Sequence, residues 1–179
     1  MAHQQVTNIA PHFAKWIGIY IIQILFIFGF VSAHAAIPPV YKNALSRPGS
    51  VTGGQAGTGF SILNLELVPQ KNKVERIIVD VGNFEGKPHK GKPGYFHVEM
   101  KANRLVSIDF AQMGMTKVTQ EKLNLALKKS RLVSKGRITY DSQDQNMNVS
   151  LTPRKAFKVK AYQVMGKNQT SKVVMDLIE

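Results

Sequence analysis

From Phe60 to the C-terminus, the sequence alternates between apolar and polar residues in short runs that Gly, Pro, Asn and Lys clusters separate. A period of two places successive side chains on opposite faces of a strand, as in sheets with one buried face. The predicted strands are residues 60–68, 74–81, 95–100, 105–111, 132–140, 147–151, 157–164 and 172–178. Eight short strands predict an all-β domain, either a sandwich or a barrel.

One segment, residues 119–130, has a helical pattern. Thr119 can cap the helix, Glu121 lies in its first turn, and Leu123 and Leu127 are four residues apart on one helix face. Leu123, Leu125 and Leu127 also alternate, so a strand is the alternative. We predict one short helix between the two halves of the domain.

The N-terminal region has the pattern of an export signal. Residues 16–31 are apolar apart from Gln23, they follow Lys15, and the small residues Ala33 and Ala35 come after them. We therefore predict a signal peptide over residues 1–35, cleaved after Ala35, and a periplasmic protein. The alternative is that the segment is not cleaved and anchors the protein, in which case it is the only part expected to contact the membrane.

Residues 36–59 are rich in Pro and Gly and show no periodicity, so we predict a flexible linker before a folded domain at 60–179.

The net charge is +13 at pH 7, from 24 Lys and Arg against 11 Asp and Glu, and cysteine is absent. Without cysteine, a disulfide framework, a cysteine nucleophile and a thiolate metal site are excluded. An exported basic protein is expected to meet an anionic envelope polymer or an envelope protein complex, and not nucleic acid. Solubility alone also explains such a charge.

The predicted domain contains an internal repeat. Each half has the same order of elements. It consists of a strand, a loop, a strand that opens with an aromatic residue, a polar turn, and a strand that ends apolar-Asp-apolar. The matching segments are 76–81, 94–100 and 104–110 in the first half, and 148–152, 157–162 and 172–177 in the second. The repeat predicts a β-sandwich of two similar, roughly four-stranded sheets, each half supplying one sheet.

These segments resemble the AMIN domain, a non-catalytic module of periplasmic N-acetylmuramoyl-L-alanine amidases and type IV pilus secretins. The resemblance rests on the basic-apolar-apolar-apolar-Asp strands 76–80 and 172–176, the related 104–110, and the strands led by Tyr95 and Phe157. It implies a two-sheet sandwich that binds peptidoglycan and localises a machine at the cell wall. The loop 82–94 is longer and more basic than is usual in the family, and we expect the module to stand alone.

Alternation within the repeat identifies candidate ligand-binding residues on the sheet faces. Arg76 and Asp80 share one face about 13 Å apart, and Lys172 and Asp176 do the same. Arg104 opens the third copy, although it faces away from Asp109 unless a bulge intervenes. Such faces could hydrogen-bond glycan hydroxyls and stem-peptide carboxylates, or their charges could pair across strands.

Further candidates lie in and beside the loop 82–94. Lys87, Lys90 and Lys92 could steer an anionic polymer, or simply be solvated, and Tyr95 could stack on a sugar or pack in a strand. The basic residues of 128–131, together with Lys135 and Arg137, could bind phosphate or lipid headgroups, or form a solvated helix end.

No pattern for catalysis or for a cofactor is present. His89 and His97 lack metal-ligand spacing, no carboxylate pair suggests a glycosidase, and no serine-nucleophile motif occurs. We expect a non-enzymatic peptidoglycan-binding module, without metal or cofactor, that localises or anchors an envelope machine. The first alternative is an accessory factor that binds a secretin or type IV pilus complex. An enzyme or amphiphile carrier is the second, and it would need a deep apolar cavity.

Overall fold

The computed structural model describes residues 44–57 and 59–179, which belong to one compact unit beginning at Tyr41. These residues form ten strands and one α-helix. They are β1 (Gly49–Gly53), β2 (Phe60–Pro69), β3 (Val74–Gly82), β4 (Phe96–Met100), β5 (Val106–Phe110), β6 (Met113–Thr116), α1 (Gln120–Leu127), β7 (Val133–Asp141), β8 (Asn146–Pro153), β9 (Lys158–Met165) and β10 (Ser171–Ile178), with a 3₁₀ turn at Lys167–Gln169. All eight predicted strands are present, with ends shifted by one or two residues.

The strands form two five-stranded sheets. Sheet I has the order β1-β4-β5-β8-β7, and sheet II has the order β6-β2-β3-β10-β9. Neighbouring strands are antiparallel except for β2 and β6, which are parallel. The prediction of an all-β, two-sheet fold is confirmed.

The internal repeat is visible in the topology, but not as expected. Strands β2 to β5 correspond to β7 to β10, and each half places its first two strands in one sheet and its last two in the other. The order β2-β3-β10-β9 in sheet II therefore matches β7-β8-β5-β4 in sheet I. The expectation that each half makes its own sheet is wrong, because this exchange joins the halves through the β3–β10 and β5–β8 ladders. Strands β1 and β6 each add a fifth strand at one edge.

The linker prediction for residues 36–59 is wrong where the structure describes them. Strand β1 pairs with β4 from Gly49 opposite Met100 to Gly53 opposite Phe96. A Cβ on Gly53 would lie 2.4 Å from Phe96 Cζ, so the strand needs glycine to approach this buried ring. Because glycine takes the place of larger apolar residues at these positions, β1 lacks the apolar alternation that identifies a strand in the sequence. The predicted signal peptide and residues 36–43 lie outside the described part of the chain.

The predicted helix is confirmed as α1. The Thr119 hydroxyl accepts a hydrogen bond from the Lys122 N–H at 3.3 Å, while Leu123 and Leu127 are buried. The Gln120 amide bonds to the edge of β7, donating to Gly136 O and accepting from the Ile138 N–H, both at 2.9 Å. The helix thus covers an edge strand that would otherwise expose unpaired backbone groups.

The core lies between the sheets and under the helix. Alternate residues of the strands point inward, among them Ile77 and Val79 on β3, and Phe96 and Val98 on β4. These inward positions agree with the period-two pattern of the sequence. In residues 44–57 and 59–179, no helix is long and apolar enough to cross a lipid bilayer.

We expect Gly136→Ala to lower the free energy of unfolding by about 1 to 2 kcal/mol, because overpacking a fitted contact is destabilising. A Cβ on Gly136 would lie 2.5 Å from Leu127 Cδ1 and 2.8 Å from Leu123 Cδ2. Urea denaturation measures the change, with Lys135→Ala on the same strand as the exposed control. Equal stability of the two variants would show that α1 does not pack tightly on β7.

Candidate functional site

The four charged residues predicted on the sheet faces lie together on the outer face of sheet II. Arg76 is opposite Asp176 and Lys172 is opposite Asp80 across the β3–β10 pair. Arg76 Nε is 2.6 Å from Asp176 Oδ1 and its Nη2 is 3.0 Å from Oδ2. Lys172 Nζ forms an ion pair with Asp80 Oδ1. The cross-strand ion pairs that the alternation allowed are therefore confirmed.

The two ion pairs differ in burial. Asp176 is only 1% exposed and also accepts a hydrogen bond from the Tyr162 hydroxyl at 3.0 Å. The side chains of Lys172 and Asp80 are 27% and 29% exposed. The buried Asp176 carboxylate on β10 therefore links this strand to both β3 and β9, whereas the pair of Lys172 with Asp80 is half-solvated. A role of these residues in ligand binding stays a prediction.

Arg104 does not join that face. It lies in the exposed turn between β4 and β5, with φ of 63°, and its N–H donates to Lys101 O at 2.8 Å. Strand β5 begins only at Val106, so the third copy of the motif lacks its basic residue. Arg104 instead borders an open depression at one end of the sandwich.

The loop 82–94 is anchored to the sandwich at several points. The Ser171 N–H donates to His89 O at 2.8 Å, and the His89 ring packs edge-on against Phe60 with centroids 5.0 Å apart. The loop's side chains Lys87, Lys90 and Lys92 are exposed, and Lys87 pairs with Glu85 at 2.7 Å. Beyond the loop, Tyr95 is 39% exposed.

The outer face of sheet I carries a set of polar side chains that the sequence prediction missed, here called the polar face. Register places them in two adjacent rows across all five strands. One row is Thr52, His97, Asp109, Asn148 and Thr139, and the other is Ser50, Glu99, Ser107, Ser150 and Arg137. At about 4.8 Å between strands, each row spans about 19 Å.

The centre of the polar face is a hydrogen-bonded network. Asn148 Nδ2 donates to Asp109 Oδ1 and to Ser107 Oγ, both at 2.6 Å. The Ser107 hydroxyl donates to Asp109 Oδ2 at 3.3 Å, and the Ser150 hydroxyl donates to Asn148 Oδ1 at 2.7 Å. The network fixes the orientation of these groups, while the outer members Ser50, Thr52, Arg137 and Thr139 are exposed.

The two outer faces differ in chemistry although the topology repeats. In sheet II the centre of the face holds Ile78 and Val174, directly opposite each other. The two rows of the polar face contain no apolar side chain. Polar residues alternate with apolar ones in 106–110 and 147–151, so each strand was expected to have one polar side. That the two polar sides form one surface follows only from the pairing of β5 with β8.

Among the residues that the structure describes, no group of three or more His, Asp or Glu side chains could hold a metal ion. No protein-family model matches the sequence, and neither does any curated protein.

Proposed function

We propose that this domain is a non-catalytic module that binds peptidoglycan through the polar face, and that binding localises an envelope machine at the cell wall. The observation that carries the proposal is the preorganised network of Ser107, Asp109, Asn148 and Ser150 at the centre of that face. Membership of the AMIN family stays a prediction.

The chemistry of the polar face suits a glycan strand. The centre of the face offers acceptor oxygens, because its donors are used within the network. The exposed hydroxyls of Ser50, Thr52 and Thr139 add donors, so that sugar hydroxyls and N-acetyl groups meet both. A row about 19 Å long accommodates more than one sugar ring. Because the network already orients its members, little side-chain entropy is lost when the ligand binds.

The rim of the polar face adds groups for the remaining parts of peptidoglycan. Arg137 is exposed at one side and can pair with a stem-peptide carboxylate. Tyr95 precedes His97 by two residues, so it continues the same face of β4 and offers a ring for stacking. The net charge of +13 favours approach to an anionic wall.

Retention on purified sacculi tests the proposal. We expect Asn148→Ala combined with Arg137→Ala to weaken binding by at least about tenfold, because a central hydrogen bond and a carboxylate contact are both lost. The matched control, Asn64→Ala with Lys160→Ala, removes one amide and one cation from the outer face of sheet II. It should change binding by less than about twofold.

Both double variants are first compared by thermal unfolding, so that binding is measured only on folded protein. Equal losses of retention in the two variants would mean that binding to sacculi depends on net charge and not on the polar face. A wild-type protein that sacculi fail to retain at moderate salt would overturn the proposal outright.

A further inference from the structure

One end of the sandwich, here called the basic end, gathers connections that are far apart in sequence. These are residues 70–73, 101–105, 128–132 and 153–157, together with 44–48 before β1. Arg154 N–H donates to Leu132 O at 2.7 Å, Glu179 N–H donates to Lys73 O at 3.3 Å, and Leu45 exchanges backbone hydrogen bonds with Val159. These hydrogen bonds and the register of the strands place the segments at the same end of the sandwich.

The basic end concentrates positive charge. Nearly half of the chain's 24 Lys and Arg residues lie in or beside these connections. They are Arg47, Lys71, Lys73, Lys101, Arg104, Lys128, Lys129, Arg131, Arg154, Lys155 and Lys158, all exposed. The five connections contain no acidic residue, so the positive charges face solvent together.

Within the described chain, two carboxylates form ion pairs with basic side chains of this end. Glu75 is buried and lies 3.5 Å from Arg131 Nε, and Glu179 lies 2.7 Å from Lys155 Nζ. The hydrogen bond from Lys155 lowers the pKa of the Glu179 carboxyl, and the charges of Lys155, Lys73 and Arg131 lower it further. The other basic side chains of this end have no ion-pair partner among the described residues.

The opposite end is less charged and mixed in sign. Its loops carry Lys87, Lys90 and Lys92, but also Glu85, which pairs with Lys87, and the exposed Asp144. Solubility does not require that positive charge collect at one end. Uncompensated like charges within a Debye length repel one another, and a polyanionic surface relieves that repulsion.

A depression of about 330 Å³ lies within the basic end. Asn103, Arg104, Arg154 and Lys155 line it together with Pro153 and Ala156. The basic residues come from two connections and border one open space, which suits a phosphate group on an extended surface.

The described chain also begins at this end. Leu45 pairs with Val159 and Gly49 with Met100, so the polypeptide enters the domain beside the basic residues. The apolar run 16–31 ends shortly upstream, and residues 32–43 reach at most roughly 40 Å when extended. For a bilayer that contains this run, before cleavage or as an anchor, that length is the upper limit on the separation of the domain from the bilayer.

We propose that the basic end binds the surface of an anionic phospholipid bilayer. This site is separate from the polar face, which lies on the flank of the sandwich, so both can be occupied together. Juxtamembrane lysines and arginines each add favourable interaction with anionic lipid, which makes the binding additive over the cluster and sensitive to salt.

Vesicle cosedimentation of the full chain tests the proposal. Binding at limiting lipid is compared between phosphatidylcholine vesicles and vesicles in which about a third of the lipid is phosphatidylglycerol. The apolar run contributes to both, so the ratio of the two affinities reports on charge. We expect Lys101→Gln, Arg104→Gln and Arg154→Gln together to lower that ratio by at least about tenfold.

The matched control removes three charges from the opposite end, with Lys87→Gln, Lys90→Gln and Lys92→Gln, and should change the ratio by less than about twofold. An equal fall in both variants would overturn the proposal, since net charge alone would then explain binding. A wild-type ratio near one would overturn it too. If the basic-end variant instead lost only sacculus retention, its partner would be the wall polymer and the membrane site would be refuted, whatever role the polar face has.

Discussion

Glu75→Ala is expected to lower the free energy of unfolding by about 2 to 4 kcal/mol, as measured by urea denaturation. The Glu75 carboxylate is 1% exposed and accepts hydrogen bonds from the Ser130 hydroxyl at 2.6 Å and the Arg131 N–H at 2.7 Å. Removing the carboxylate leaves two donors without this partner in a dry position.

The loss of stability should extend beyond these two bonds, because Ser130 also accepts hydrogen bonds from two backbone groups. Its hydroxyl oxygen accepts hydrogen bonds from the N–H groups of Leu132 and Val133, at 3.2 and 2.8 Å. Glu75 on β3 of sheet II thus orders the connection into β7 of sheet I. Glu66→Ala, which removes an exposed carboxylate from the neighbouring strand, should change stability by less than about 0.5 kcal/mol. Similar values for both variants would refute the bridging role of Glu75.

Asp176→Ala should be the second large effect, a loss of about 2 to 4 kcal/mol. It leaves the Arg76 guanidinium without its bidentate carboxylate and removes the acceptor of the Tyr162 hydroxyl. Asp80→Ala breaks the half-solvated pair with Lys172 and should lose less than about 1 kcal/mol. Equilibrium unfolding of both variants measures the difference.

The same pair of variants tests the role of the sheet II face. If Asp176→Ala keeps sacculus binding while losing stability, the charged motif of the repeat is structural. A variant that stays as stable as wild type but loses binding would contradict this and move the glycan site to sheet II. Equal stability losses at Asp80 and Asp176 would contradict the difference in burial.

The strands were predictable because each buries one face, and burial of alternate residues leaves a local pattern. The α1 cap at Thr119 was predictable for a similar reason, since its hydrogen bond joins residues three apart. Strand β1 was not predictable, because glycine is needed at Gly53 for close packing against Phe96 of β4. Phe96 lies more than forty positions further along the chain, so the local sequence does not show this need for glycine.

The candidate sites show the same limit. Cross-strand ion pairing was one of two interpretations of the alternation, and only the β3–β10 register identified Asp176 as the partner of Arg76. The polar face needed both the β5–β8 pairing and the unpredicted β1. Within the basic end, the sequence predicts only residues 128–131 as a cluster, because their charges are adjacent along the chain.

By itself, the amino-acid sequence determined where eight of the ten described strands and the helix lie, that the chain repeats, and that it is strongly basic. These properties follow from local alternation, capping and composition. Tertiary structure alone decided that the halves exchange strands, that one outer face carries two rows of polar side chains, and that separate turns meet in a basic end. Those features depend on which strands become neighbours, and neighbours are selected by burial and backbone pairing between residues distant along the chain.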